Sequence, residues 1–242
     1  MKITMFGATD VGCVRKMNQD SIGFDANLGF GIVADGIGGR PGGDIASKIA
    51  VDSISRSIVE ADHIKFDEVS SFMLSKVDLA NKNVFQYGKK NIKYQGLGTT
   101  LNFLLFFGDN LYIAHIGDSR TYLFYKEHLF QLTVDHNLGT FVKRGVVESS
   151  LIENGGKPAA LMRAVGLKEE LETDLINKKV NEGEIYITAS DGLFDMIPDT
   201  TIRRIISEYK DKLEKLPDRL IKEANKNGGR DNITVLVSKV AA

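Results

Sequence analysis

The sequence predicts an α+β protein, because two different apolar periodicities occupy separate stretches of the chain. Short runs rich in β-branched and aromatic residues predict strands, and longer stretches with apolar residues three or four positions apart predict helices. Their order is strands, two helices, more strands, an irregular region, two helices and a last strand, which is typical of one α+β domain. At 242 residues the chain is long enough to bury a substantial core.

Eight runs predict strands, two of them weakly at 3–9 and 22–25. The stronger runs are 30–34, 101–107, 111–116, 121–125, 184–189 and 233–237. The run 101–107 is mostly apolar on both faces, so it needs cover on both sides, from a second sheet or from helices. The segment Gly108-Asp109-Asn110 between two of these runs predicts a hairpin.

Helical spacing predicts one helix that includes 46–58 and another that includes 69–84. Two later helices are predicted to begin near Asp199, as a capping carboxylate, and near Pro217, in a first turn. The last is expected to stop at Gly228-Gly229. We expect a single domain over 1–242, with an irregular flap subdomain at about 137–166.

Composition excludes several classes of protein. The formal net charge is -1, which gives no general attraction to nucleic acid or to an anionic membrane. A single cysteine, Cys13, cannot form an internal disulfide. The N-terminus lacks the pattern of a signal peptide, and the longest uncharged stretch is too short to span a bilayer. These features predict a cytoplasmic protein that does not bind a membrane.

Four aspartates share one local context at the ends of apolar runs. They are Asp35, Asp118, Asp191 and Asp231. If the last strand runs antiparallel to the others, their carboxylates could gather at one sheet edge. Clustered carboxylates repel one another unless cations neutralise them, and Mg²⁺ and Mn²⁺ prefer oxygen ligands. The alternative is that each aspartate, two of which are followed by glycine, is only part of a turn, which is less convincing for four sites than for one.

Two further segments are candidates for the same chemistry. The glycine-rich stretch 35–43 leads into a helix and would let backbone approach a ligand closely, although it could simply be a flexible connection. Arg15 has the planar fork that suits phosphate, and Asp20 could add a carboxylate. Taken alone, the segment around them could equally be a solvated charged turn.

Several other catalytic arrangements are missing from the sequence. The glycine-rich stretch has neither the Gly-Lys-Ser/Thr ending of a P-loop nor the spacing of a dinucleotide motif. Gln19 stands six residues after Cys13, where a cysteine-based phosphatase loop has arginine. The histidines lack zinc-binding spacing, and no nucleophile elbow is present. His115 is expected to be a packed strand residue, and His136 is a candidate proton carrier.

Eight short motifs follow one another along nearly the whole chain. They are RKMNQD at 15–20, VADGIGG at 33–39, GTT at 98–100, GDSR at 117–120, LTVDH at 132–136, RAVG at 163–166, SDGLFD at 190–195 and GRDNITV at 229–235. In this order they resemble the protein phosphatase 2C family of metal-dependent protein serine/threonine phosphatases, in its compact bacterial form. The resemblance implies a central sandwich of two antiparallel sheets flanked by pairs of helices.

The resemblance also implies a centre of two Mn²⁺ or Mg²⁺ ions at one end of the sandwich. Asp35 would bridge both ions, and Asp191 and Asp231 would bind the first. The Gly36 carbonyl would bind the second, with Asp20 nearby. A third, weaker ion would be bound by Asp118 and Asp191 with assistance from Asp195, and Arg15 would hold the substrate phosphate.

The implied activity is hydrolysis of phosphoserine and phosphothreonine on proteins by a water that bridges the metal ions. The catalytic residues would be Arg15, Asp35 and Asp231. Eukaryotic relatives have a histidine, proposed as the acid for the leaving group, where this sequence has Ile37. The acid is therefore open here between solvent and His136.

Phosphorylated proteins are the implied substrates, and a Ser/Thr kinase is the implied functional partner of what we expect to be a monomer. Two other functions compete with this one. One is a catalytically silent binding module of the same fold, which the presence of the principal aspartates disfavours. The other is a different two-metal enzyme such as a nuclease or phosphodiesterase, which the lack of a basic or aromatic stripe disfavours.

Overall fold

Ten strands form two five-stranded sheets in the computed structural model, which describes residues 2–37, 42–61 and 65–241. The strands are β1 (Lys2–Asp10), β2 (Asp20–Asp25), β3 (Phe30–Asp35), β4 (Leu101–Phe107), β5 (Asn110–Ile116), β6 (Arg120–Tyr125), β7 (His128–Gln131), β8 (Asp174–Lys179), β9 (Ile185–Ala189) and β10 (Ile233–Ala241). Sheet one has the order β1-β10-β9-β6-β7, and sheet two has the order β2-β3-β4-β5-β8. Every neighbouring pair is antiparallel.

The described residues form seven α-helices. They are α1 (Gly43–Val59), α2 (Val69–Lys90), α3 (Leu138–Lys143), α4 (Ser150–Glu153), α5 (Asp191–Phe194), α6 (Asp199–Tyr209) and α7 (Leu216–Lys226). The apolar faces of α1 and α2 pack on sheet two, and those of α6 and α7 pack on sheet one. The layers therefore run helix, sheet, sheet, helix, and the predicted α+β sandwich flanked by pairs of helices is confirmed.

Strand β4 is buried on both of its faces. Leu101, Phe103 and Leu105 face the helices α1 and α2, whereas Leu104 and Phe106 face the other sheet. Successive side chains of a strand point to opposite faces, so an uninterrupted apolar run must be buried on both. The predicted hairpin follows directly, with Gly108 at φ 58° in the turn to β5.

The two strands that the apolar pattern does not predict are both sheet edges. β7 is short and mostly exposed, and β8 reads Asp-Leu-Ile-Asn-Lys-Lys. Edge strands are commonly short or charged, because those features discourage pairing with another chain. Their polar sequences hide them from a search for apolar runs.

The ends of the later helices differ in one detail from expectation. Pro217 lies in the first turn of α7 as predicted, and that helix ends two residues before Gly228. Asp199, however, does not cap α6 through its side chain. Its carboxylate instead accepts a hydrogen bond from the hydroxyl of Tyr122 at 3.2 Å. This contact ties the start of α6 to sheet one.

The segment 137–166 contains only the short helices α3 and α4 and isolated bridges to neighbouring chain. Of the glycine-rich stretch 35–43, residues 38–41 lie outside the described residues. None of the helices in the described parts of the chain is long and apolar enough to cross a membrane.

Candidate metal centre

The acidic residues singled out from the sequence lie at one end of the sandwich, divided between its two sheets. Asp35 ends β3 and Asp118 follows β5, both in sheet two. Asp191 follows β9, and Asp231 precedes β10, which is antiparallel to β9 in sheet one. The expected antiparallel last strand is therefore present, but the carboxylates meet between two sheets and not along the edge of one.

Asp20 and Asp35 are direct partners across β2 and β3. Burial raises the pKa of Asp20 to about 6, although Ser190 donates a hydrogen bond to its Oδ2 at 2.8 Å. Burial, together with the charges of Asp20, Asp191 and Asp118, holds the pKa of Asp35 well above its usual range. Two opposed carboxylates in such a place favour either a shared proton or a cation.

The backbone around Asp35 is fixed by Thr100 and its neighbour Thr99. The Asp35 N–H donates to Thr100 Oγ1 at 2.9 Å, and the Thr100 N–H donates to the Asp35 carbonyl at 2.8 Å. Gly36 follows in a space that no side chain could share, since a Cβ there would lie 2.2 Å from the Gly43 carbonyl oxygen. Close backbone approach at this point explains the glycine.

The other two cleft carboxylates that titrate unusually are Asp118 and Asp191. Burial and the nearby charge of Asp135 raise the pKa of Asp118 to about 6. Burial and the charges of Asp118 and Asp195 raise the pKa of Asp191 to about 7. Partial burial also raises the pKa of Asp195, whose charge acts on Asp191 although it does not line the cleft. The carboxylates of the cleft therefore carry more negative charge than the neighbouring cationic side chains neutralise.

Arg15 reaches this cluster from the loop between β1 and β2. Its Nη2 donates to Asp231 Oδ2 at 2.7 Å, and both side chains stay about two-fifths exposed (42% and 37%). The hydrogen bond and the charge of Asp231 raise the pKa of Arg15. The guanidinium thus lies beside the carboxylates, open to solvent, where an anionic group could contact it.

A cleft of about 260 Å³ lies among these residues. It is lined by Asp35, Gly36, Ile37, Thr100, Asp118, Ala159, Ala160, Leu161, Asp191 and Asp231. Segment 137–166 supplies one wall of this cleft through its alanines and Leu161. The predicted residues Asp35, Gly36, Asp118, Asp191 and Asp231 line it directly, and Asp20 and Arg15 adjoin it through Asp35 and Asp231.

The donor set of this cleft fits hard divalent cations. Asp20 Oδ1 and Asp191 Oδ1 are buried oxygens without a hydrogen-bond partner, which is costly unless a ligand satisfies them. Carboxylate and carbonyl oxygens are the ligands that Mg²⁺ and Mn²⁺ prefer. Within the described residues no three His, Cys, Asp or Glu side chains already form a closed ligand group.

Asn232 is a site residue that the sequence patterns did not single out. Its buried amide donates to the carbonyls of Val11 and Met17 at 2.9 and 3.0 Å, and its Oδ1 accepts from the Gln19 N–H at 2.8 Å. These bonds hold both ends of the Arg15 loop. The feature of the sequence that could have indicated Asn232 is its position next to Asp231, in the motif before the last strand.

The structure corrects one expectation about the histidines. His136 is 1% exposed and does not line the cleft, so it is not placed to carry a proton to a leaving group there. His115 is buried in β5 against Asn102 and Val134, as expected of a packed strand residue. Burial lowers the pKa of His115 to about 4, so the ring is neutral near neutral pH.

The fold and the cleft together define an α+β sandwich protein with an acidic cleft whose oxygen ligands suit divalent cations. The family model described as Protein phosphatase 2C matches residues 14–224. The serine/threonine phosphatase stp of Listeria welshimeri serovar 6b is 33% identical over 234 residues, which is 95% of this chain and 92% of that protein. The chain belongs to the protein phosphatase 2C family.

Solved structures agree with this assignment. The serine/threonine phosphatase PstP/Ppp of Mycobacterium tuberculosis has a TM-score of 0.87 and 28% identity, with all of both chains covered. The PstP catalytic domain in complex with two manganese ions has a TM-score of 0.85 and 29% identity, and 100% of this chain and 99% of that chain are covered. The predicted family, fold and enzyme class are confirmed.

Proposed function

We propose that this chain hydrolyses phosphoserine and phosphothreonine on proteins in the acidic cleft. The observation that carries the proposal is the pair of buried, unpartnered oxygens on Asp20 and Asp191, within a carboxylate cluster that adjoins Arg15. A site of this kind suits cations together with an anionic substrate. Membership of the protein phosphatase 2C family supports the same activity.

The cations are Mn²⁺ or Mg²⁺, in a two-ion centre with a third, weaker site. Asp35 would bridge the two ions, Asp191 and Asp231 would bind the first, and the Gly36 carbonyl would bind the second, with Asp20 close by. Asp118 would bind the third ion with Asp191. When bound, such ions lower the pKa of a coordinated water and neutralise phosphate oxygens.

Arg15 is the residue of this chain that would bind the substrate phosphate. A planar guanidinium can donate two parallel hydrogen bonds to phosphate oxygens, and charge-assisted bonds of this kind are stronger than neutral ones. Arg15 would exchange its bond to Asp231 for the phosphate, while Asp231 turns to a cation. Asn232 would keep the loop in place during this exchange.

The proton for the leaving group would come from solvent. Ile37 lines the cleft where eukaryotic relatives have a histidine, and His136 is buried away from it. Because the cleft opens to water beside Arg15, a solvent molecule can reach the departing hydroxyl oxygen. No acidic side chain is assigned to this step.

Phosphorylated proteins are the proposed substrates, and a Ser/Thr kinase with the same targets is the proposed functional partner. We propose that the protein acts in the cytoplasm as a monomer. The single exposed cysteine, Cys13, is compatible with a reducing compartment. The near-neutral net charge of -1 gives no reason to expect nucleic acid as a partner.

The test is turnover of a phosphothreonine peptide with Mn²⁺, in parallel with a sample treated with a chelator. We expect turnover with metal, none after complete chelation, and none in Asp231→Ala, while circular dichroism shows a folded variant. Undiminished turnover after chelation would contradict metal dependence. Turnover of a bis-nitrophenyl diester in preference to the peptide would indicate a phosphodiesterase, and absence of Mn²⁺ binding would indicate a binding module.

A further inference from the structure

His136 holds both backbone polar groups of Gly117, the residue that precedes Asp118. The Gly117 N–H donates to His136 Nδ1 at 3.2 Å, and the His136 N–H donates to the Gly117 carbonyl at 2.8 Å. The imidazole is 1% exposed, so these bonds do not compete with water. One residue therefore fixes the orientation of the peptide plane on each side of Gly117.

The Gly117 turn is tightly constrained on its other side as well. Its φ is 103°, and a Cβ there would lie 2.7 Å from the Thr100 Cβ. The hydroxyls of Thr100 and Ser119 are hydrogen-bonded at 2.7 Å, and Thr100 also fixes Asp35. The turn that carries Asp118 thus lies between Thr100 and His136, and it crosses from sheet two to sheet one.

The far side of the imidazole contacts the end of segment 137–166 and the start of β8. Because Nδ1 accepts a bond, the neutral ring carries its proton on Nε2, which lies 3.2 Å from Asp174 Oδ2. Arg163 donates to the other oxygen of Asp174 at 2.9 Å. The Arg163 guanidinium also lies 5.4 Å above the centre of the Phe141 ring.

The backbone of His136 contacts the cleft wall. Its carbonyl accepts from the Met162 N–H at 2.8 Å, and the next residue, Asn137, forms a bridge with Leu161. Leu161 lines the cleft together with Asp118. His136 is therefore bonded both to the turn of a cleft carboxylate and to the facing wall.

We propose that His136 is a positioning residue, which uses Nδ1 to fix the Gly117–Asp118 turn for cation binding and joins that turn to the 160–163 wall. The proposal rests on the metal role that the proposed function gives to Asp118. The imidazole does not touch a cation or the substrate. Loss of the Nδ1 acceptor leaves the Gly117 N–H buried and unpaired, so the turn shifts and Asp118 moves with it.

Two amide variants separate this role from simple packing. In His136→Asn the amide oxygen can take the place of Nδ1 and accept from Gly117. In His136→Gln the longer side chain places its amide where Nε2 lies, toward Asp174, and leaves the Gly117 N–H without its acceptor. Both replacements are polar and similar in size, so a difference between them reports the Nδ1 bond.

The first measurement is amide hydrogen exchange at Gly117 by NMR, in metal-free protein. We expect His136→Asn to keep the protection of the original protein within about three-fold, and His136→Gln to exchange about ten-fold faster. Equal exchange rates at Gly117 in the two variants would overturn the proposal. This measurement involves no metal ion, so its outcome does not depend on the proposed function.

The second measurement is Mn²⁺ binding by calorimetry. We expect the weakest ion to bind about ten-fold more weakly in His136→Gln than in His136→Asn, with the tighter ions unchanged in both. Equal weak-site affinity in the two variants would overturn the positioning role. An Asp118→Asn variant that keeps the weak ion would instead contradict the metal role of Asp118 in the proposed function, and exchange at Gly117 would still decide what His136 does.

Discussion

Arg15 Nη2 and Asp231 Oδ2 are 2.7 Å apart, so the residue proposed to bind phosphate is paired with a residue proposed to bind metal. Both side chains are about two-fifths exposed, and an ion pair in such a position is worth only ~0–1 kcal/mol. A bidentate phosphate and a divalent cation each offer a stronger interaction to one partner. The pair is therefore easily exchanged when both ligands arrive.

Replacement of Arg15 by alanine is expected to weaken substrate use without weakening the fold. Loss of a charge-assisted phosphate contact should cost about 1.5–3 kcal/mol, which lowers kcat/KM by roughly ten- to one-hundred-fold. The melting temperature should stay unchanged because the Arg15–Asp231 pair is exposed. Peptide kinetics and a thermal melt of Arg15→Ala check both points.

Lys16→Ala is the matched control, since Lys16 is the next residue and is also an exposed cation. It should keep kcat/KM close to the original value. An equal loss in both variants would show that general positive charge, and not the Arg15 fork, assists the substrate.

Asp35→Asn is expected to stabilise the metal-free protein while removing activity. The pKa of Asp35 is held well above normal by burial and by neighbouring carboxylates, so at pH 8, where the unfolded carboxyl is ionised, Asp35 destabilises the fold. The neutral amide removes this penalty, and a gain of about 1 kcal/mol raises the melting temperature by about 2–4 °C. Thermal melts in chelator and a peptide assay with Mn²⁺ measure the two effects.

Asp211→Asn is the matched control for Asp35→Asn. It also removes one negative charge, but at an exposed position outside the carboxylate cluster. It should alter neither the melting temperature nor turnover appreciably. A metal-free Asp35→Asn that melts below the original protein would argue against repulsion at Asp35.

Stabilisation by Mn²⁺ is expected to be larger at about pH 8 than at about pH 5.5. The pKa is about 7 for Asp191 and about 6 for Asp20 and Asp118, above the ordinary value near 3.8. A raised pKa in the folded state gives stability that is complete below the unfolded value and is lost as pH rises through the folded value. The metal-free protein should therefore lose stability between about pH 4 and pH 7.

Mn²⁺ would take the place of these protons on the carboxylates. The stabilisation by Mn²⁺ should therefore increase as the carboxyl groups lose their protons with rising pH. Melting temperatures with Mn²⁺ and with chelator at the two pH values give the comparison. A metal-induced gain of the same size at both would contradict the assignment of these carboxylates as cation ligands.

Asn232→Ala is expected to destabilise the protein and to disorder the Arg15 loop. The change leaves the Val11 and Met17 carbonyls and the Gln19 N–H without a partner, at a cost of about 2–3 kcal/mol. The melting temperature should fall by roughly 4–12 °C, and KM should rise more than kcat falls. Thermal melts and peptide kinetics measure these effects.

Asn177→Ala tests the same chemical change at an exposed position of the edge strand β8. It should leave the melting temperature and KM nearly unchanged. Similar behaviour of the two alanine variants would show that the Asn232 bonds do not hold the loop.

The strands buried on both faces were predictable because burial leaves a continuous apolar run in the sequence. β4 has the predicted bounds, and β3 and β5 differ from them by one residue. The edge strands β7 and β8 were not predictable in this way, since their solvated sides need polar residues. A continuous apolar run therefore identifies a strand that is buried on both faces. It misses a polar edge strand that has one face in solvent.

The residues of the cleft likewise include some that the sequence pattern predicts and some that it does not. Asp35, Asp118 and Asp191 stand out because each follows an apolar run within two residues of its end, where a side chain leaves the sheet. Nothing local indicates that Asn232 holds the Arg15 loop or that His136 holds Gly117. Each of those contacts joins positions far apart in sequence, and single-sequence patterns carry no information about such pairs.

The amino-acid sequence alone determined the order of most strands and helices along the chain and which carboxylates stand at strand ends, since both follow from which side chains must avoid water. Only the tertiary structure decided that these carboxylates meet between two sheets, that Arg15 is paired with Asp231, and that His136 is buried behind Asp118. These relations depend on how the two sheets face each other. That geometry results from packing across the whole core and not from any short stretch of chain.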